Sequence, residues 1–345
     1  MANFKQLHPH FKLNGQSFSV EQLCEQAIHL IRDGEPYEKE LGDLILQWFD
    51  EKDFVELTTS GTTGTPKQLK LPKRAMMHSA LATGEFFNLK PGDTALLCLP
   101  TRYVAGKMMF VRAVTLGLEL DYVNPCKEPL CHTDKVYDFV AMVPLQVQQS
   151  ITQIEQCKKL IVGGAKLNDS VKEILYDMMT EVYETYGMTE TITHIAAKKI
   201  QEEYFTVLPH ATISTDDRGC LVIEAPLVAN SLIVTNDIVE MRNDIQFRWI
   251  GRADNVINSG GIKLIPEQIE DKLSQYIPYR FFVIGKEDEK YGQKLVLVIE
   301  HTPYTLLQEA FESLEKYERP KEILFVERFK ETPTGKILRK QTIGF

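Results

Sequence analysis

Apolar and polar positions follow two periods along this chain, and the switches between them mark out its elements. In residues 20–31, Val20, Leu23, Cys24, Ala27, Ile28 and Ile31 recur at three- and four-residue spacing. That spacing predicts an amphipathic helix with these residues on one face. Residues 41–49 predict a second helix, 73–87 a third and 108–116 a fourth. Between the helices lie short apolar runs: 54–57, 95–99 ending at Pro100, 118–123, 139–143 stopped by Pro144, and 160–162 running into Gly163-Gly164. Such lengths with Pro or Gly at the end predict strands. Strands that alternate with helices predict an α/β architecture.

The pattern then changes. Runs 221–223 and 232–234 read as strands, with Thr235-Asn236-Asp237 capping the second. Residues 255–263 predict a strand and a Gly-Gly turn, 265–270 a helix start with Pro266 in its first turn, 281–285 and 294–299 two strands, 305–317 a helix and 322–327 a last strand. Residues from Gly251 onward therefore read as a compact α+β unit. The expected organisation is a large N-terminal α/β domain over 1–251 and a small α+β domain over 252–345.

Composition narrows the partners. With 345 residues, 43% hydrophobic and 25% charged, the chain has the balance of a soluble globular protein of more than one domain. A formal net charge of −9 disfavours nucleic acid and anionic membranes as partners. It leaves room for a local basic pocket. No apolar run reaches the ~18 residues of a membrane span, and the start lacks the apolar segment of a signal peptide. Six scattered cysteines without a C-x-x-C pair predict free thiols in a reducing cytosol, hence a cytoplasmic protein.

Candidate chemistry begins at residues 58–67, T-T-S-G-T-T-G-T-P-K. No apolar side chain interrupts this stretch. It offers backbone N–H groups, hydroxyls and one lysine, the donors a polyphosphate needs, and its glycines let the backbone approach closely. A plain Ser/Thr/Gly surface linker has the same composition. It is not a P-loop, because Lys67 follows Pro66 and precedes Gln68. Gly163-Gly164 at a strand end is the place where α/β sheets bind ligands, or a simple tight turn. In Tyr186-Gly187-Met188-Thr189-Glu190 an aromatic face, a hydroxyl and a hard carboxylate oxygen stand within five residues. The same residues also read as an ordinary loop. Asp237, just past a strand, reads as a ribose ligand or a turn residue. Lys336 stands in a basic C-terminal tail, which by itself reads as a solvated end.

Taken together, T-S-G-T-T-G-T-P-K (59–67), Y-G-M-T-E (186–190), G-R-A-D-N-V-I-N-S-G-G-I-K-L-I-P-E-Q-I-E (251–270) and P-T-G-K-I-L-R (333–339) resemble the motifs of the adenylate-forming superfamily, in that family's order. The resemblance covers about residues 54–345. It implies an enzyme that joins a carboxylic acid to the α-phosphate of Mg·ATP, releases pyrophosphate, and passes the acyl group to a thiol, usually that of coenzyme A. By the resemblance, Thr59, Ser60, Gly61, Thr62, Thr63, Gly64 and Lys67 hold the β- and γ-phosphates. Gly163, Gly164 and Ala165 sit by the adenine and the acyl group. Tyr186 with Gly187 meets adenine, Thr189 touches the α-phosphate and Glu190 ligates Mg²⁺. Asp237 and Arg252 take the ribose, Asp254 is the hinge of a mobile C-terminal domain, and Gly261 and Lys263 face the coenzyme A tunnel. Lys336 bridges the attacking carboxylate and the phosphate.

The chain departs from the family pattern in three places. Only 57 residues precede the 58–67 stretch, so the N-terminal domain is truncated relative to the family, and a second subunit in a homodimer is one way to cover the face this leaves. Asn236 replaces the glycine of T-G-D. Tyr103 stands where L-P-x-x-H-x-x-G has histidine. Among the family's members the chain is most similar to the short o-succinylbenzoate–CoA ligases of menaquinone synthesis. Their acid carries a second carboxylate, for which Arg102, Lys107 and His194 are the candidate partners. Another aryl- or acyl-CoA ligase, an enzyme loading a carrier protein, and an inactive remnant are the alternatives.

Overall fold

The computed structural model describes residues 4–59, 67–331 and 337–344, and of residues 58, 59, 67 and 68 only the backbone. The apolar runs that end at Pro or Gly become the middle of a large sheet. The chain opens with β1 (Lys12–Leu13), α1 (Val20–Asp33) and α2 (Pro36–Phe49). The Ser19 hydroxyl accepts from the Gln22 N–H and the Gln22 side chain reaches back to Ser19, a capping box that starts α1. β2 (Phe54–Thr59) and β3 (Lys67–Pro72) form a separate antiparallel pair that closes on Thr59 and Lys67. Next come α3 (Lys73–Phe86), β4 (Thr94–Leu97), α4 (Val104–Leu116), β5 (Glu119–Tyr122) and β6 (Tyr137–Met142). They are followed by α5 (Pro144–Gln149), β7 (Cys157–Val162), α6 (Asp169–Tyr176) and β8 (Glu181–Gly187).

From there the chain turns to hairpins: β9 (His194–Lys199), β10 (Phe205–Val207), β11 (Thr212–Thr215), β12 (Cys220–Glu224), β13 (Ile233–Asn243) and β14 (Gln246–Arg252). All but β2 and β3 of these join one sheet of twelve strands, in the order β1-β5-β4-β6-β7-β8-β9-β10-β14-β13-β12-β11. Pairing is parallel from β1 to β8 and antiparallel beyond. Two apolar cores cover the sheet, one holding Trp48, Met76, Phe110 and Phe139, the other Tyr137, Val140, Leu160 and Leu175.

A second sheet of five strands follows. It contains β15 (Ile257–Ser259), β16 (Ile262–Leu264), β17 (Phe281–Asp288), β18 (Gly292–Glu300) and β19 (Glu322–Val326), with α7 (Pro266–Leu273), α8 (Gln308–Glu312) and α9 (Arg339–Thr342). Gly260 and Gly261 lie at φ 60° and 84°, the left-handed pair that a two-residue hairpin turn between β15 and β16 requires. The two sheets meet through α7 against β14 and through the Lys166–Asp271 ion pair at 2.6 Å. The architecture is thus a large N-terminal α/β domain and a small C-terminal α+β domain, as the periodicity predicts.

Four local expectations are corrected. In α1 the buried residues are Leu23, Ala27 and Leu30, while Ile28 is 53% exposed, so the buried stripe is rotated. The helix expected over 305–317 contracts to Gln308–Glu312. β8 continues through Tyr186-Gly187, where a loop was expected, because β9 pairs with it. Asp237 does not cap a strand: β13 runs six residues past it, and Asp237 stands opposite Arg252 of β14.

Candidate active site

The C-terminal ends of the parallel strands open onto a cleft of about 290 Å³. This is where ligands bind in open α/β sheets. Its walls come from Leu99 after β4, Ala141 to Val143 at the end of β6, Ile161, Gly163 and Gly164 at the end of β7, Thr185 and Gly187 of β8, the turn from Met188 to His194, and Arg112 of α4. The lining is mostly apolar with few polar groups, as small-molecule sites are.

The turn between β8 and β9 is the most constrained part. Ile192 has φ 64° and ψ −55°, and the Thr193 N–H donates to the Thr191 carbonyl at 2.7 Å. That is a γ-turn of the strained kind, adopted by a β-branched residue. The register also slips: Tyr186 faces Ala196 but Gly187 faces His194. This bulge turns His194 toward the cleft. Gly187 permits the approach, because a Cβ there would lie 2.4 Å from the His194 Cα and the Thr193 carbonyl oxygen. Both are backbone atoms with no rotamer to yield. Gly187→Ala is therefore expected to open the hairpin at a cost of about 3 kcal/mol, seen as a lower melting temperature. An unchanged melting temperature would mean that the hairpin register is different.

Across β8, β13 and β14, the Tyr186 hydroxyl donates to Asp237 Oδ2 at 2.6 Å and Trp249 Nε1 donates to Asp237 Oδ1 at 3.2 Å. Burial, and then the Asp237 charge, push the Tyr186 phenol far up, so it stays a donor. Arg252 Nη1 stands 3.9 Å from Asp237, and Nη2 donates to Asp254 at 3.1 Å. Asn236 also donates to Asp254, at 3.3 Å. Asp237, Arg252, Asp254 and Tyr186 are therefore one cluster. Behind the Gly163–Ala165 turn, Glu184 accepts the Leu167 N–H at 3.1 Å and pairs with Lys172 at 2.9 Å and Lys198 at 3.5 Å. Burial pushes the Glu184 carboxyl up, but the two lysines and the N–H outweigh it and hold it below its ordinary value. The glycine turn thus rests on a charged anchor.

Of the expected acid-binding residues, His194 alone lines the cleft. Arg102 is exposed and pairs with Glu40 at 2.7 Å. Lys107 is buried on the side of α4 facing Glu40 and Asp43, and neither it nor Arg102 lines the cleft. Five residues separate Lys107 from Arg112, which turns them about 140° apart on a helix. It is Arg112 that faces the cleft. Sequence reasoning passed over it because it stands in the apolar run M-M-F-V-R-A-V. A lone arginine in such a run was the available signal, since buried charges are paired or bind something.

Arg112 is 1% exposed. It donates toward Met109 Sδ at 3.5 Å and His194 Nδ1 at 3.4 Å, and its Nε has no hydrogen-bond partner among the described residues. Among the described residues no carboxylate pairs with it. Burial pushes its guanidinium down to about 9, which leaves it charged at neutral pH. Burial, then Arg112 and His210, hold His194 well below the usual histidine value, so it is neutral. Among the described residues, the Arg112 end of the cleft therefore holds one uncompensated positive charge.

The remaining expected residues are placed as follows. Thr189 lines the cleft and Glu190 beside it is exposed. Gly163 and Gly164 line it, and Ala165 follows, exposed. Gly261 and Lys263 lie in the β15–β16 hairpin and do not line it. Thr59 and Lys67 face each other at the end of the β2–β3 pair. Ser60, Gly61, Thr62, Thr63, Gly64 and Lys336 lie outside the described residues.

The profile of the AMP-binding enzyme family matches residues 46–216. A solved acyl-CoA synthetase (AMP-forming)/AMP-acid ligase II-like protein from Dyadobacter fermentans is 37% identical, with a TM-score of 0.63 over 90% of this chain and 95% of that one. The 2-succinylbenzoate–CoA ligase of Bacillus cereus (strain AH820) is 25% identical over 336 residues, which span 82% of this chain and 68% of that protein. The o-succinylbenzoate CoA synthetase from Bacillus subtilis, solved with its acyl-adenylate intermediate, has the same fold, with a TM-score of 0.71 at 20% identity over 83% of this chain and 68% of that one. This chain belongs to the AMP-binding enzyme family and is an AMP-forming acid–CoA ligase, of the class that uses ATP, Mg²⁺ and coenzyme A.

Proposed function

We propose that the acid is o-succinylbenzoate and the product o-succinylbenzoyl-CoA, a step of menaquinone biosynthesis. The observation that carries this reading is Arg112, a buried cation lining the cleft with no carboxylate to pair with among the described residues. A substrate with a second carboxylate supplies that partner through charge-assisted, bidentate hydrogen bonds. The names of the relatives point to the same acid.

The chemistry divides into two steps. A carboxylate oxygen attacks the α-phosphorus of ATP, and the bond to pyrophosphate breaks. The coenzyme A sulfur then attacks the acyl carbon and AMP leaves. In this reading Tyr186 lies along the adenine and Asp237, with Arg252, takes the ribose hydroxyls. Thr189 donates to the α-phosphate, and residues 59–64 with Lys67 hold the outer phosphates. Lys336 stands between the two reacting anions. Residues 1–251 bind the nucleotide and the acid. Residues 252–345 turn about Asp254 to bring Gly261 and Lys263 to coenzyme A.

The metal suits the donors at hand. Mg²⁺ keeps several waters and takes one or two carboxylates plus substrate phosphates. No group of three His, Cys, Asp or Glu side chains arranged for a metal occurs among the described residues. The exposed carboxylate of Glu190, next to Thr189, matches such an open site, where Mg²⁺ neutralises phosphate charge. The cytoplasm, where ATP and coenzyme A are available and all six thiols stay free, is the compartment this reading implies.

Pyrophosphate release with Mg·ATP across o-succinylbenzoate, benzoate and a medium-chain fatty acid, with and without coenzyme A, tests the proposal. Release with o-succinylbenzoate, and thioester only when coenzyme A is added, is expected. Release with one of the other acids and none with o-succinylbenzoate would discard the substrate and keep the mechanism.

A further inference from the structure

Arg112 is unusual in how it is held. A buried arginine is normally steered by a carboxylate, which fixes the plane of its fork. Here the steering group is a neutral imidazole, and the imidazole is itself held by a threonine on another helix. Arg112 Nη2 lies 3.4 Å from His194 Nδ1. His194 Nε2 lies 3.4 Å from Thr83 Oγ1. The Thr83 hydroxyl donates to the Ser79 carbonyl of α3 at 2.9 Å. Thr83, Arg112 and His194 are all at most 5% exposed.

The directions of these bonds follow from what each group can do. A guanidinium only donates, so His194 Nδ1 accepts. A neutral imidazole that accepts at Nδ1 carries its proton on Nε2, and that N–H needs an acceptor. The one hydroxyl hydrogen of Thr83 is committed to the Ser79 carbonyl, so its oxygen is free to accept. The chain runs Arg112 to His194 to Thr83 to the α3 backbone, with one acceptor for each donor. Both contacts of His194 are long for hydrogen bonds and weak singly, so their alignment matters more than either one. A protonated His194 would present a second donor to Arg112 and break the chain. The groups that face His194 are Arg112 from α4, Thr83 from α3 and His210 from the turn after β10, with His78 of α3 beside His210.

We propose that Thr83 is a positioning residue for acid selection: its hydroxyl, anchored on the α3 backbone, fixes His194 as the Nε2–H tautomer, and His194 in turn aims the Arg112 guanidinium at the second carboxylate of the substrate. The inference rests on the reading of Arg112 as the partner of that carboxylate. It adds a residue that does not line the cleft, and a tautomer.

Two measurements test it. The first compares KM for o-succinylbenzoate with KM for 4-oxo-4-phenylbutanoate, which lacks the ring carboxylate, in pyrophosphate release. Thr83→Val keeps the shape and removes the acceptor. It is expected to raise the ratio of the two KM values about tenfold, and Thr83→Ser to restore it. An equal rise in both KM values would mean that Thr83 only supports the fold, and would overturn the proposal. The second measurement needs no substrate: long-range nitrogen–proton correlation spectra of the wild-type protein labelled at histidine, with His194→Gln used to assign the signal. A proton on Nε2 is expected, and a proton on Nδ1 would overturn the relay. If Arg112→Met raises the KM ratio and Thr83→Val does not, the relay fails and the carboxylate reading stands. If Arg112→Met leaves the ratio unchanged, the carboxylate reading fails, whatever the tautomer.

Discussion

Arg112→Met is expected to lower kcat/KM for o-succinylbenzoate by 10²- to 10³-fold while leaving the protein as stable as before or more so. The loss follows from stranding a buried carboxylate. Breaking a desolvated ion pair by removing one partner costs about 3–5 kcal/mol, and about 1.4 kcal/mol is a factor of ten in rate. The gain in stability has the opposite origin. In the free protein Arg112 is 1% exposed, has an Nε without a partner and meets no acidic side chain among the described residues. Its desolvation is therefore not repaid until the substrate arrives. Methionine is of similar reach and packs against Met109 without that cost. A thermal melt and a kinetic assay on the same preparation check both halves. Unchanged kcat/KM would remove Arg112 from acid recognition. A melting temperature that fell sharply would make Arg112 structural and the kinetic loss uninformative.

Lys336→Ala is expected to abolish adenylation and spare thiolation of supplied acyl-adenylate. Two anions must meet in the first step, the carboxylate and the α-phosphate. A lysine between them offsets their repulsion and the charge that grows at phosphorus. A unit charge at 4 Å in surroundings of effective dielectric about 20 is worth about 4 kcal/mol, which corresponds to about 10³-fold in rate. In the second step a thiol meets a neutral acyl carbon, so that cation has no such task. Pyrophosphate release measures the first step and thioester from synthetic acyl-adenylate the second. Survival of both steps would sink the assignment of Lys336, and loss of both would point to a folding defect.

Much of this protein was legible in its residue pattern. The six-residue β6 and β7 and the helices between the strands are set by local forces: apolar runs that fit a strand, stops at Pro144 and Gly163-Gly164, and an amphipathic period. Motifs such as Y-G-M-T-E are local as well, because a family's chemistry at one turn needs particular residue types in a row. The family could therefore be read before any contact was known.

Other features depended on contacts between distant residues. Whether Tyr186-Gly187 is loop or strand depends on β9, and whether Asp237 caps or continues β13 depends on Arg252 across the ladder. The extended backbone of a strand is satisfied by its neighbour, and the register between them depends on the hydrophobic pattern of both strands and the turn that joins them, not on one strand alone. The Arg112 end of the cleft is the strongest case. Thr83 and Arg112 lie 111 and 82 positions from His194 in the chain, yet each stands 3.4 Å from one of its ring nitrogens. Periodicity indicated only that residues 108–116 are helical. Which face of α4 meets α3, and which turns to the cleft beside the bulge of β9, was fixed by packing α3 and α4 together against one twisted sheet. That packing turned Lys107 toward the charges of Glu40 and Asp43 and left Arg112, which the residue pattern had not offered as a candidate, facing the cleft with His194.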